Sequence, residues 1–141
     1  MDQALPGRIH QGEHFVVNGF SGKKLEQLIG LESVEKPGSP VIVYLKAEDN
    51  DWHQFFLDAG IGCWECTGTI REEKEEGFMH VDYAAQYNIQ NIKINSIHCE
   101  KDRNNSKMVI ALENKELILL RCKNAEIVDS DCELLKVNSS G

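Results

Sequence analysis

The sequence lacks the marks of several common classes. It has no G-x-S-x-G, no phosphate-cradling glycine-rich loop and no dinucleotide fingerprint, so no motif identifies a reaction. No apolar run approaches the roughly 20 residues that span a bilayer. The start, Met1-Asp2-Gln3-Ala4-Leu5-Pro6-Gly7, has no basic segment and no apolar core of a secretory signal. The five cysteines are an odd number with no framework-like spacing. Without an export signal, that points to free thiols in a reducing cytoplasm.

Basic residues are scarce where they would matter most. Residues 48–82 hold ten acids against only Arg71 and Lys74. Elsewhere acids and bases balance, so the net charge of −8 arises in this quarter of the chain. Such a segment repels nucleic acids and anionic membranes and attracts a basic protein. The same segment holds both tryptophans, Trp52 and Trp64. Tryptophan is enriched at binding hot spots because it buries a large area with few torsions. The candidate partner-binding residues are therefore Glu48, Asp49, Asp51, Trp52, Trp64, Glu65, Glu72, Glu73, Glu75, Glu76 and Asp82. The competing reading is a solvated acidic loop around two core tryptophans.

What is present is a set of β signals. Met108-Val109-Ile110-Ala111-Leu112 and Leu117-Ile118-Leu119-Leu120 are separated only by Glu113-Asn114-Lys115-Glu116, which reads as a hairpin turning at Asn114. Both runs are apolar at successive positions and should be covered on both faces. Val41-Ile42-Val43-Tyr44-Leu45 is a second strong strand, with His53 to Leu57 as its partner. Pro37-Gly38-Ser39-Pro40 is a firm turn. Shorter strands are expected at Phe15-Val16-Val17, Leu31–Glu35, Phe78–Tyr83 and Leu134–Val137, with a helical turn over Asp82–Asn88. Leu25, Leu28 and Ile29, after Ser21 and before Gly30, fit one short helix. Residues 1–12 read as a loose arm. The turn and strand pattern after Val34 resembles the one after Ile97. The chain thus reads as a single domain, residues 1–141, mainly β: a sandwich or half-barrel of two meander units, roughly 31–66 and 92–137, with one or two short helices. An α+β fold is the alternative.

Cys63-Trp64-Glu65-Cys66 is a C-x-x-C, but glycines precede it and no good helix follows. His98, Cys99, Cys122 and Cys132 form no second pair at zinc spacing. On a strand, Cys63 and Cys66 would face opposite sides. No metal or other cofactor is expected. Asp49-Asn50-Asp51 starts like a calcium loop, but Gln54 and Gly60 stand where that loop needs Gly and Glu.

A small, acidic, β-rich chain with no catalytic motif and an acidic segment holding aromatics resembles the immunity proteins of bacterial polymorphic-toxin and contact-dependent growth inhibition systems. That resemblance implies a cytoplasmic protein that neutralises a basic toxin domain by binding it. It transfers no site residue. A different class is a small thiol- or zinc-dependent enzyme using Cys63, Cys66, His98 and Cys99. A stand-alone structural domain is a third.

Overall fold

The computed structural model describes residues 9–58, 61–68, 77–102, 105–113, 115–122 and 132–137. Eleven strands and one helix lie among them: β1 (Ile9–Gly12), β2 (Phe15–Val16), β3 (Leu25–Ser33), β4 (Pro40–Ala47), β5 (Trp52–Asp58), β6 (Ile61–Gly68), β7 (Phe78–Asp82), α1 (Tyr83–Gln86), β8 (Ile94–Asp102), β9 (Asn105–Leu112), β10 (Glu116–Cys122) and β11 (Cys132–Val137). They form two antiparallel sheets, ordered β1-β6-β5-β4-β3-β7 and β11-β10-β9-β8-β2. The centre of each is a four-strand meander, β3 to β6 in one and β8 to β11 in the other. Short strands from elsewhere in the chain extend the edges.

The sheets pack face to face over one shared core. Val43, Leu45, Phe55 and Trp64 line it from the first sheet, and Ile97, Met108, Ile110 and Leu117 from the second. Each buried aliphatic side chain contributes roughly 1.5–3 kcal/mol. In β9, Met108, Val109 and Ile110 are all buried, as successive apolar residues require when both faces are covered. The expected turn residue Asn114, residues 1–8 and the tail 138–141 lie outside the described residues.

Two local expectations are corrected. The Leu25–Ile29 stretch is not a helix but the start of β3, and Ser21 lies in an exposed turn. The register shifts between Leu25 and Gln27, so the strand carries a bulge there. A bulge changes the phase of the alternation by one. Leu25 and Leu28, three apart, therefore both face the core, and the spacing imitates a helix. Gly30 does not end the element. It lies in mid-strand because the Tyr83 ring rests on it.

The second correction concerns the arm. Ile9–Gly12 is not loose but pairs with β6, with Gly12 opposite Gly62. A side chain at Gly62 would meet the Cys99 sulfur at 2.4 Å. Only a glycine lets the second sheet's Cys99 approach so closely.

The single short helix sits where Asp82 ends β7. The Asp82 carboxylate accepts from the Ala85 amide at 3.1 Å, an N-cap. Tyr83 then turns under β3, where its hydroxyl donates to the buried carboxylate of Glu32. The Glu32 carboxylate also accepts from the Gly38 amide at 2.8 Å. Burial, reinforced by the Glu32 contact, pushes the Tyr83 phenol far above its ordinary value, so it stays protonated and donating.

Candidate functional site

The expected binding segment divides into three parts. The first is the β4–β5 loop, residues 48–51. Asp49 sits at φ 60°, a left-handed conformation that Asp tolerates better than most residues. The Asn50 amide donates to Ala47 O at 3.2 Å, closing the turn. The loop is fastened to two distant segments. The Glu48 amide donates to Lys24 O and the Lys24 amide returns a bond to the Glu48 carboxylate, both at 3.0 Å. The Asn50 side-chain amide donates to Gly19 O at 2.9 Å. Asp49 and Asp51 face solvent from this anchored frame. Trp52 follows, half-buried, opposite Gly68, and its carbonyl accepts from the Thr67 hydroxyl.

The second part is β6. Trp64 is buried at 4 % exposure, so it is core and offers no contact surface, contrary to the sequence expectation. Its indole N–H donates to His53 Nδ1 at 2.8 Å. Its ring stacks on that of His53, and Phe20 meets His53 edge-on. Trp64 faces inward because it alternates with Glu65, which is on the outer face. The Glu65 carboxylate accepts from the Gln54 side-chain amide on the neighbouring strand. The third part is Asp82, at the opposite edge. Strands β5, β4 and β3 separate β6 from β7, so Asp82 belongs to no patch with Glu65, and its carboxylate caps α1. Glu72, Glu73, Glu75 and Glu76 lie outside the described residues.

The fold also adds residues that reading along the chain missed. Lys23 Nζ lies 3.9 Å from Asp49 Oδ2, and the exposed Lys24 and Lys93 stand directly opposite each other nearby in sequence register. An exposed pair such as Lys23–Asp49 stabilises by at most about 1 kcal/mol. Its consequence is on the field: the loop's negative charge is partly countered by lysines from the charge-balanced N-terminal third. Asp51 has no ion-pair partner among the described residues.

Among the described residues the thiols of Cys63, Cys66 and Cys99 are all buried. Cys63 and Cys66 are three apart on an unbroken stretch of β6 and face opposite sides, both buried. Cys99 faces the core, while the adjacent His98 faces outward, 3.6 Å from Glu100. Burial pushes the Cys99 thiol up to about 11, leaving it protonated and a poor nucleophile at neutral pH. Among the described residues no three His, Cys, Asp or Glu side chains are grouped to hold a metal ion.

His53 gives this region a pH signature. Desolvation by burial lowers its pKa from 6.5 to about 4, against the opposing attraction of Asp51. The folded state therefore holds the neutral imidazole, with Nδ1 accepting from Trp64. Because the folded pKa lies below the unfolded one, this contribution is fully present above about pH 6.5. It is lost as pH falls toward 4, by roughly 3 kcal/mol in all. Denaturant melts of wild type and His53→Gln between pH 7.5 and 4 should show wild type losing stability faster. Parallel curves would contradict the buried neutral histidine.

Comparisons with protein-family models, curated proteins and solved structures find no match to this chain.

Proposed function

We propose that this chain is a small acidic binding protein that meets a basic protein partner through the β4–β5 loop. Within that class, its profile fits a cytoplasmic immunity protein that neutralises a basic toxin domain. The carrying observation is that Glu48 and Asn50 pin the loop to Lys24 and Gly19 while Asp49 and Asp51 remain exposed beside Trp52. A pinned loop loses little conformational entropy on binding. Loops on a rigid scaffold are also where binding residues concentrate. Glu65 lies in the same sheet as the loop's two strands, on β6 opposite Gln54 of β5, and Glu72, Glu73, Glu75 and Glu76 add negative charge by sequence alone. Among the described residues no helix is long and apolar enough to cross a membrane.

The test is direct. Basic toxin domains encoded next to this chain's gene would be expressed with and without it. The two proteins should form a stoichiometric complex that protects growth of the host cells, and their binding should weaken as salt rises. Trp52→Ala should speed dissociation by an amount typical of a hot spot, about 2 kcal/mol or more, with the fold retained. A neighbour-encoded basic domain that neither binds nor loses toxicity would contradict it.

A further inference from the structure

The turn that anchors the loop carries its own chemistry. Asn18 and Gly19 follow β2, and both are exposed. They are the chain's only Asn-Gly dipeptide. Gly19 sits at φ 97°, and nothing lies within 4 Å of the position a side chain would take. Neither the Asn18 side chain nor the Gly19 N–H makes a hydrogen bond among the described residues. The Asn18 side-chain carbonyl carbon and the Gly19 nitrogen are separated by only Cβ, Cα and the main-chain carbonyl carbon of Asn18, so bond formation between them closes a five-membered ring. With no side chain on Gly19 and no acceptor holding its N–H, little opposes that closure.

We infer that Asn18 is a modification site: it deamidates through a succinimide, and the product loosens the β4–β5 loop. The Gly19 nitrogen attacks Asn18 Cγ, the Cγ–Nδ2 bond breaks, and ammonia leaves with the Gly19 proton. Water then opens the ring. Attack at Cγ gives aspartate, and attack at the main-chain carbonyl gives isoaspartate, whose backbone runs through Cβ and Cγ. The net change is one water consumed, one ammonia released and one carboxylate gained, with no oxidation.

Position gives this change its consequence. Gly19 O is the acceptor for the Asn50 side chain, so the modified bond adjoins the loop's anchor. Phe20, the next residue, is 1 % exposed and packs against His53. Isoaspartate adds a methylene to the main chain immediately before these two fixed points. Its carboxylate also appears beside a loop that already carries Glu48, Asp49 and Asp51, where like charges repel. The Gly19 carbonyl is shifted from Asn50, and the loop loses one of its two fastenings. That outcome bears on partner binding only if the loop is the contact surface; the chemistry itself does not depend on that reading.

The experiment needs no partner. Full-length protein is incubated at mildly alkaline pH and followed by ammonia release, peptide mapping and hydrogen exchange. Asn18 should convert before any other asparagine, giving aspartate and isoaspartate peptides. Asn18→Gln, which would have to close a larger ring, should lose the conversion. In the converted fraction the Glu48 and Asn50 amides should exchange faster, while those of β9 stay protected. An unchanged Asn18 peptide, or faster conversion at another asparagine, overturns the site. Conversion without faster exchange at Glu48 and Asn50 overturns the coupling to the loop.

Discussion

Trp64→Ala should destabilise the protein by about 3–5 kcal/mol, the cost typical of removing a buried large aromatic. The indole lies at 4 % exposure between the sheets, stacked with Phe15 and His53. Its loss leaves a cavity and removes the N–H that His53 Nδ1 accepts. That is a large part of the 5–15 kcal/mol that holds an ordinary domain together. Thermal or denaturant melts would measure it, with Trp52→Ala as the internal comparison. Trp52 is only half-buried and should cost clearly less. Equal losses at the two positions would mean that the tryptophans share one role, and the division of the acidic segment into core and loop would fail.

Gly30→Ala should cost about 3 kcal/mol or more, at or beyond the upper end for forcing a single methyl into a packed interior. An added Cβ would stand 2.2 Å from the Tyr83 ring, closer than real Cβ contacts come. The ring has little freedom to retreat. Its hydroxyl is bound to the buried Glu32 carboxylate, which the Gly38 amide holds from the other side. Moving the ring would strip a buried carboxylate of a donor, itself costing about 1–3 kcal/mol. The two sites touch, so their effects should not add. Gly30→Ala combined with Tyr83→Ala should cost less than the sum of the two single changes in denaturant melts. Strict additivity would mean that the contact is not what makes Gly30 necessary.

Both changes lie where reading along the chain went wrong, and the reasons are physical. Val41–Leu45, Met108–Leu112 and Leu117–Leu120 were legible as strands because period-two alternation or a continuous apolar run needs no long-range information. The helical turn expected over Asp82–Asn88 was legible too, although the Asp82 side chain that caps it was read only as part of the acidic surface. The start of β3 was not, because one extra residue at its bulge turns an alternating pattern into a spacing of three. Ile9–Gly12 was not, because its strand character comes from pairing with β6, and Gly12 and Gly62 advertise flexibility when read alone. Trp64 stands next to Glu65 and was grouped with the acids around it. On a strand, however, neighbours in sequence face opposite ways. The loop's fastenings to Lys24 and Gly19 lie 24 and 31 residues away in the chain, and only the pairing of strands reveals them. The acidic charge was legible as a count, but its partial neutralisation by Lys23 was not.

The measurement that bears most directly on the β4–β5 loop as the contact surface is an association rate. The basic protein encoded beside this chain's gene would be bound to wild type and to the double variant Asp49→Asn/Asp51→Lys, each at low and high ionic strength; Asn, like Asp, tolerates the left-handed backbone at position 49. Both substitutions are at exposed positions, and melts should confirm that the variant keeps the wild-type fold. The variant should associate more slowly at low salt, and its rate should respond much less to added salt than that of wild type. Identical association rates and identical salt dependence for the two folded proteins would contradict it.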